Sequence, residues 1–133
     1  MSQENVEVAL DLTAAFNARD IDTVAGRITD DYEFIPSVAG TVEGTSYRGK
    51  AGLRQYFEDA DSAWETIQVR VDEARDLGDS AVLLGELIAR GRSSGLDVRL
   101  PRAWLLEFRE GKVSRLQSYA DLAEALEAAA LRE

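Results

Sequence analysis

Gly44, Gly49 and Lys50 have the spacing of a phosphate-binding loop, G-x-x-x-x-G-K, within the stretch GTSYRGKAGLRQYF. In such a loop the backbone amides and the lysine hold phosphate groups, and a Ser or Thr after the lysine binds magnesium through its hydroxyl. Here that position is Ala51, which has no hydroxyl. We therefore interpret the stretch as a loop that leads into an amphipathic helix, with Lys50 in solvent, and not as a nucleotide site.

Glu86 is the candidate general base of this sequence, because it lies between Leu84 and Ile88 on one face of an apolar strand. Removal of a carboxylate from water raises its pKa toward values useful to a base. Arg102 is then the residue that would orient an oxygen of the substrate. In a second interpretation, which we favour, Glu86 forms an ion pair with Arg102 or Arg90 within the sheet or at a dimer interface.

The composition restricts the chemistry further. The 133 residues include no histidine and no cysteine, so the commonest metal ligands are absent and no disulfide can form. We predict neither a metal nor a cofactor. The formal net charge of −10 would repel a nucleic-acid backbone, so we expect no nucleic-acid partner. No apolar run approaches the roughly 20 residues of a membrane span, and the length predicts a single domain over residues 1–133 in a soluble, cytoplasmic protein.

In the first half of the chain, the hydrophobic residues recur with the period of helices. Ala9, Leu12 and Phe16 predict a first helix, and Asp20 is placed to cap a short second one. The segment YEFIPSV predicts a brief strand that ends near Pro36. A third helix is predicted by a single apolar stripe, which consists of Leu53, Tyr56, Phe57, Ala60 and Trp64.

After Glu65 the period changes to two, as in strands with one exposed face. Turns at 78–79, 93–95 and 110–111 predict four antiparallel strands, and Asp121 with Glu124 predicts the capping box of a final helix. The strand around Trp104 is apolar on both faces. Because helices can cover one of these faces, we expect the other to pack against a second copy in a homodimer.

The segments FNARDIDTV, YRGKAGLRQYF and FREGKVSRLQSYADLAEAL, in this order of elements, resemble the SnoaL-like branch of the nuclear transport factor two-like superfamily. The resemblance implies an α+β cone, in which a strongly curved antiparallel sheet wraps around N-terminal helices and leaves an apolar cavity. It also implies which side chains face that cavity beside Arg102. These ligand-binding residues are Leu12, Tyr32, Tyr56, Phe57, Trp104, Leu106 and Ser118.

The resemblance does not select one activity, because this superfamily contains polyketide cyclases, isomerases, dehydratases, epoxide hydrolases and proteins that only bind ligands. The positions that resemble the catalytic positions of ketosteroid isomerases hold Leu12, Pro36 and Trp104. Asp121 could be a cyclase acid or only a helix cap. Two hypotheses remain. The first is a pocket protein for a small apolar or polyketide-like molecule, with a cofactor-free cyclisation, isomerisation or hydration. The second is a non-catalytic dimeric module that binds a ligand or whose cavity is filled by Trp104.

Overall fold

The computed structural model describes residues 2–36 and 46–131, which contain four helices and six strands. In chain order they are α1 (Ser2–Asn17), α2 (Ile21–Gly26), β1 (Ile28–Ile35), β2 (Tyr47–Arg48), α3 (Gly49–Ala63), β3 (Trp64–Asp76), β4 (Ser80–Gly91), β5 (Asp97–Arg109), β6 (Lys112–Tyr119) and α4 (Leu122–Leu131). The strands form one sheet in the order β2-β1-β6-β5-β4-β3. The predicted α+β cone is confirmed, with a curved sheet around the N-terminal helices and a C-terminal helix outside.

The predicted elements differ from the observed ones in three places. The short strand β2 was not predicted, and β1 begins at Ile28 rather than at Tyr32. Trp64 is the first residue of β3 and not part of α3. The strand β1 ends at Ile35, next to Pro36, as predicted, whereas the last residues of the predicted segment, 37–38, and the loop with Gly44 lie outside the described residues.

Two short helices begin where the sequence predicts. The Asp20 carboxylate accepts hydrogen bonds from the backbone N–H of Thr23, at 3.2 Å, and from its hydroxyl, at 2.6 Å. The Asp121 carboxylate accepts from the backbone N–H of Glu124 at 2.9 Å. Each carboxylate therefore satisfies a backbone donor that the first turn of a helix leaves free.

Hydrophobic residues cluster on both faces of the sheet. The larger cluster lies on the concave face against α1, α2 and α3. A smaller one lies on the outer face, where Ala125 of α4 packs near Val82, Ala103 and Leu105. The expectation that a second copy covers Ala103 and Leu105 is therefore wrong, because α4 of the same chain covers them.

Asn17 fixes the end of α1 to the edge strand β3. Its side-chain amide donates to the carbonyl oxygen of Val69 at 2.9 Å, and its side-chain oxygen accepts from the Val69 backbone N–H at 2.8 Å. The outer edge of an edge strand has no neighbouring strand to bond its backbone N–H and C=O groups. At Val69 the side-chain amide of Asn17 makes these two hydrogen bonds instead, and it thereby positions α1 over the concave face.

Gly85 lies where the backbones of β3 and β4 approach each other closely. A Cβ atom at this position would lie 2.9 Å from the Arg70 carbonyl carbon and closer still to the carbonyl oxygen. One residue beyond this contact, the register of β3 against β4 shifts between Val71 and Glu73, and such bulges bend a strand and increase its twist. Only glycine allows the two strands to approach this closely.

We predict that Gly85→Ala lowers the free energy of unfolding by about 3 kcal/mol or more, because the new methyl group meets backbone that cannot move aside. Urea denaturation followed by circular dichroism measures the change. Gly26→Ala is the matched control, since nothing lies within 4 Å of a Cβ there, and we expect a change below about 1 kcal/mol. Equal stability of the Gly85→Ala variant and the wild type would contradict this role for the bend.

Candidate functional site

A pocket of about 70 Å³ lies between the concave face of the sheet and the helices α1, α2 and α3. Its lining is mostly aliphatic and aromatic. The lining residues are Leu12, Thr13, Phe16, Val24, Tyr32, Phe34, Leu53, Tyr56, Phe57, Val69, Leu83, Leu87, Arg102, Trp104, Leu106, Leu116 and Ser118. The seven residues predicted to bind a ligand all line this pocket, as does Arg102; their binding of a ligand stays a prediction.

Local periodicity explains how these side chains come together. Leu12 and Phe16 are four residues apart on α1 and therefore share one face. On β5 the alternation of side chains directs Arg102, Trp104 and Leu106 to the concave face. Trp104 pairs with Ser118 on β6, so that the serine enters the same wall of the pocket.

Packed aromatic rings form the side of the pocket that faces β1 and α3. The rings of Phe34 and Tyr56 meet edge to face, with centroids 4.7 Å apart and an angle of 83°. Phe16 and Phe57 pack with centroids 5.6 Å apart. Such pairs contribute about 0.5–1.5 kcal/mol each beyond the area they bury, and they give this wall a defined shape.

Two buried phenols supply hydroxyl groups near the pocket. Burial raises the pKa of Tyr32, and the nearby Tyr56 raises it further. Burial also raises the pKa of Tyr56, although the charge of Arg19 acts in the opposite direction. Both hydroxyls therefore keep their protons at neutral pH and can donate hydrogen bonds to a ligand.

Glu86 does not lie in the pocket, and its predicted place beside Arg102 is wrong. It pairs with Pro101 across β4 and β5, whereas Arg102 pairs with Gly85. Directly opposite residues share a face and neighbours along a strand do not. Glu86 is therefore on the outer face, and the pocket that Arg102 lines is on the concave face.

Glu86 does form ion pairs, as the second interpretation expects, but with other arginines than Arg102 or Arg90. One carboxylate oxygen is 2.6 Å from Nη2 of Arg70 and 2.9 Å from Nη2 of Arg99. The hydrogen bond from Arg99 and the charges of both arginines lower the pKa of Glu86. A carboxylate with a lowered pKa is a poorer base, so this site holds a charge rather than accepting a proton.

The structure also gives the positions of Asp121 and Lys50, the other two residues for which the sequence suggested a role. Asp121 is exposed at the start of α4 and caps that helix, and it is not among the pocket residues. Lys50 is exposed and lies 3.4 Å from an oxygen of Asp30, as expected for a solvated lysine. Within the described ranges, no group of three or more Asp and Glu side chains is arranged to hold a metal ion, and no helix there is long and apolar enough to cross a membrane.

Several pocket residues were not predicted. They are Thr13, Phe16, Val24, Phe34, Leu53, Val69, Leu83 and Leu87. Phe16, Phe34 and Leu53 lie one helical turn or one strand period from a predicted residue, so the same periodicity contains the signal for them. Val24, Val69, Leu83 and Leu87 lie on elements for which no ligand-binding residue was predicted. Thr13 carries no separate signal, because its hydroxyl donates to the Ala9 carbonyl within the helix, at 2.9 Å.

Comparisons with known proteins agree with this geometry. The model of the family described as "SnoaL-like domain" matches residues 9–116, while no curated protein matches the chain. The solved structure of TerC co-crystallised with polyporic acid has a TM-score of 0.79 at 21% identity, covering 93% of this chain and 96% of that chain. A putative SnoaL-like polyketide cyclase from Jannaschia sp. CCS1 has a TM-score of 0.76 at 20% identity, covering 95% and 91%. At these identities the two structures show a shared fold.

We predict that Glu86→Gln lowers stability at neutral pH, because Arg70 and Arg99 lose their shared anion, while the pocket stays intact. The folded-state pKa of Glu86 lies below its ordinary value of 4.5. The stability that its charge contributes is therefore present above about pH 4.5 and is lost as the pH falls below it. Thermal unfolding between pH 3 and pH 7 measures the difference between wild type and variant.

The exposed Glu58 on α3 provides the matched control. Glu58→Gln should leave the dependence of stability on pH close to that of the wild type. If the difference in stability between Glu86→Gln and the wild type is the same at pH 3 as at pH 7, the ion-pair account of Glu86 is wrong.

Proposed function

This chain belongs to the SnoaL-like domain family, and on that premise we propose that it binds a small, flat, largely apolar molecule in the pocket lined by Trp104 and Phe57. The observation that carries the proposal is the lining itself. Aliphatic and aromatic side chains surround the space, and a few hydroxyl groups and Arg102 enter it. Ligand sites commonly combine such an apolar wall with a small number of polar groups that fix orientation.

Two structural neighbours were crystallised with small organic molecules. The crystals of TerC contain polyporic acid. A protein from Catenulispora acidiphila with a ketosteroid isomerase-like fold was crystallised with trimethylamine; it has a TM-score of 0.76 at 17% identity and covers 91% of this chain and 90% of its own. Polyporic acid and trimethylamine are both small organic molecules. We take from them the class of ligand and not its identity.

Trp104 limits what the pocket can hold. The space of about 70 Å³ is smaller than an apolar cavity of about 150 Å³, the size known to admit benzene. Trp104 is almost completely buried and faces this space. A ligand with one aromatic ring therefore enters only if the indole ring moves to another rotamer, and we include this movement in the proposal.

Binding is better supported than the cofactor-free reaction that the sequence suggested. In that reaction Glu86 was the base, and Glu86 lies on the outer face with two arginines. The residues that line the pocket include Arg102, Tyr32 and Tyr56, whose polar groups can donate hydrogen bonds. Such groups hold oxygen atoms of a ligand, whether or not a reaction follows.

We expect benzamide, a neutral one-ring probe, to bind the wild-type protein. In ¹⁵N–¹H spectra, the shifts should change at the backbone amides of α3, β5 and β6 that surround the pocket. Trp104→Ala should lower the free energy of unfolding by about 3–5 kcal/mol. Benzamide should restore part of that loss, because a ligand that binds only the folded state stabilises it.

Trp64→Ala is the matched control, since the protein contains two tryptophans and Trp64 is not among the pocket residues. Benzamide should stabilise that variant no more than it stabilises the wild type. Binding by the Trp104→Ala variant and none by the wild type would contradict the proposal, because the indole ring would then close the pocket.

The outer face of the sheet beside α4 suggests a second function, which is self-association. Ile88 is only partly buried there and pairs with the exposed Arg99, near the exposed Pro101. The triad of Arg70, Glu86 and Arg99 gives the same surface both signs of charge. A two-fold contact places one patch opposite its own copy, so unlike charges can meet. We therefore propose a homodimer through this face.

A dimer should have twice the mass of one chain in size-exclusion chromatography with light scattering. Ile88→Glu should shift it to the monomer mass, because it replaces an apolar side chain in the contact by a carboxylate that loses its water there. Leu96→Glu, at a leucine that is 67% exposed in the turn between β4 and β5, should remain dimeric. A wild-type protein of monomer mass at micromolar concentration would refute this second proposal.

A further inference from the structure

Arg102 is the one charged side chain among the described residues that line the pocket. It lies on β5, two residues before the almost completely buried Trp104, and faces the concave side as that residue does. The residue is half-buried: its Nε is shielded from solvent, whereas the hydrogen bond of its Nη1 is exposed. A donor that has lost its water is costly unless a partner compensates for that loss.

The described residues do not provide that partner. Most arginines of this acidic protein form ion pairs with carboxylates, for example Arg70, Arg99 and Arg115. Arg102 forms none within the described part of the chain. Its Nη1 donates to the neighbouring carbonyl of Pro101 at 2.8 Å, and its Nε is buried with no hydrogen-bond acceptor. A buried donor without an acceptor is rare in folded proteins and requires an explanation.

Electrostatics on the two faces of β5 are therefore different. On the outer face, Arg99 and Arg70 share the carboxylate of Glu86. On the concave face, three residues along the strand from Arg99, Arg102 directs a guanidinium to a space that a ligand could enter. On the outer face the protein itself supplies the anion. On the concave face, the anion beside Arg102 would have to come from the ligand.

The neighbouring groups suit an anionic oxygen as well. Ser118 is buried on the adjacent strand and lines the pocket. Burial raises the pKa of Tyr32 and of Tyr56, so both phenols stay protonated and repel no anion. A guanidinium binds a carboxylate through two parallel N–H···O bonds, and these are stronger when the site excludes water.

We propose that the pocket selects organic anions, in which a carboxylate or enolate oxygen binds Arg102 and a flat apolar body contacts Trp104 and Phe57. This inference rests on the proposed function, since it names the class of ligand for the same pocket. Arg102 is a binding residue in this proposal, and no chemical step is assigned to it.

Benzoate and benzamide test the inference, because they have nearly the same shape and differ in charge. In titrations followed by ¹⁵N–¹H spectra at pH 7, benzoate should bind the wild-type protein about tenfold more tightly than benzamide, or better. Arg102→Met should weaken the binding of benzoate about tenfold more than it weakens the binding of benzamide, so that the preference disappears. Arg102→Lys should retain part of the preference, since it keeps the charge without the planar geometry.

Arg99→Met is the matched control on the outer face of the same strand, and we expect it to keep the full preference for benzoate. Equal affinities of the wild type for the two probes would overturn the inference and leave the proposed function standing. A preference that survives in Arg102→Met would also overturn it, because another group would then hold the anion. Failure of both probes to bind would overturn the proposed function, and the inference with it.

Discussion

The close approach of the Arg70 carbonyl to Gly85 is the constraint on which the rest of the structure depends. It lets β3 cross β4 at short range where the register shifts between Val71 and Glu73. The bend turns a flat sheet into a curved one, and the concave side can then enclose α3. Without that curvature Trp104 and Phe57 would not face a common space, and the protein would have no pocket.

The curved sheet separates two kinds of electrostatic environment. Its outer face is open to solvent beyond α4, and there Glu86 is shared by Arg70 and Arg99 at hydrogen-bond distance. The concave face is apolar and covered by helices, and Arg102 enters it without a carboxylate from the described residues. A cation in the second environment makes a stronger interaction with an added anion than the exposed pairs do, because less water competes with it.

The fold was predictable from the sequence, whereas the site was predictable in part. Helical and strand periods identified most of the elements, and the family resemblance indicated that Tyr56, Trp104 and Leu106 face the cavity. The position of Glu86 was not predictable, because it depends on the turn at 91–96 between β4 and β5. One residue more or less in that turn would place Glu86 opposite Arg102 on the same face. The partner Arg70 also depends on the bulge in β3, which has no clear sequence signal.

The central claim is that a small organic anion binds in the concave pocket through Arg102. A crystal structure of the protein grown with benzoate tests it most directly. The account predicts the ring against Trp104 and Phe57, with a carboxylate oxygen within about 3 Å of Nε of Arg102. It is contradicted if benzoate occupies only the outer face beside Arg99, or if its ring enters the pocket with the carboxylate directed away from Arg102.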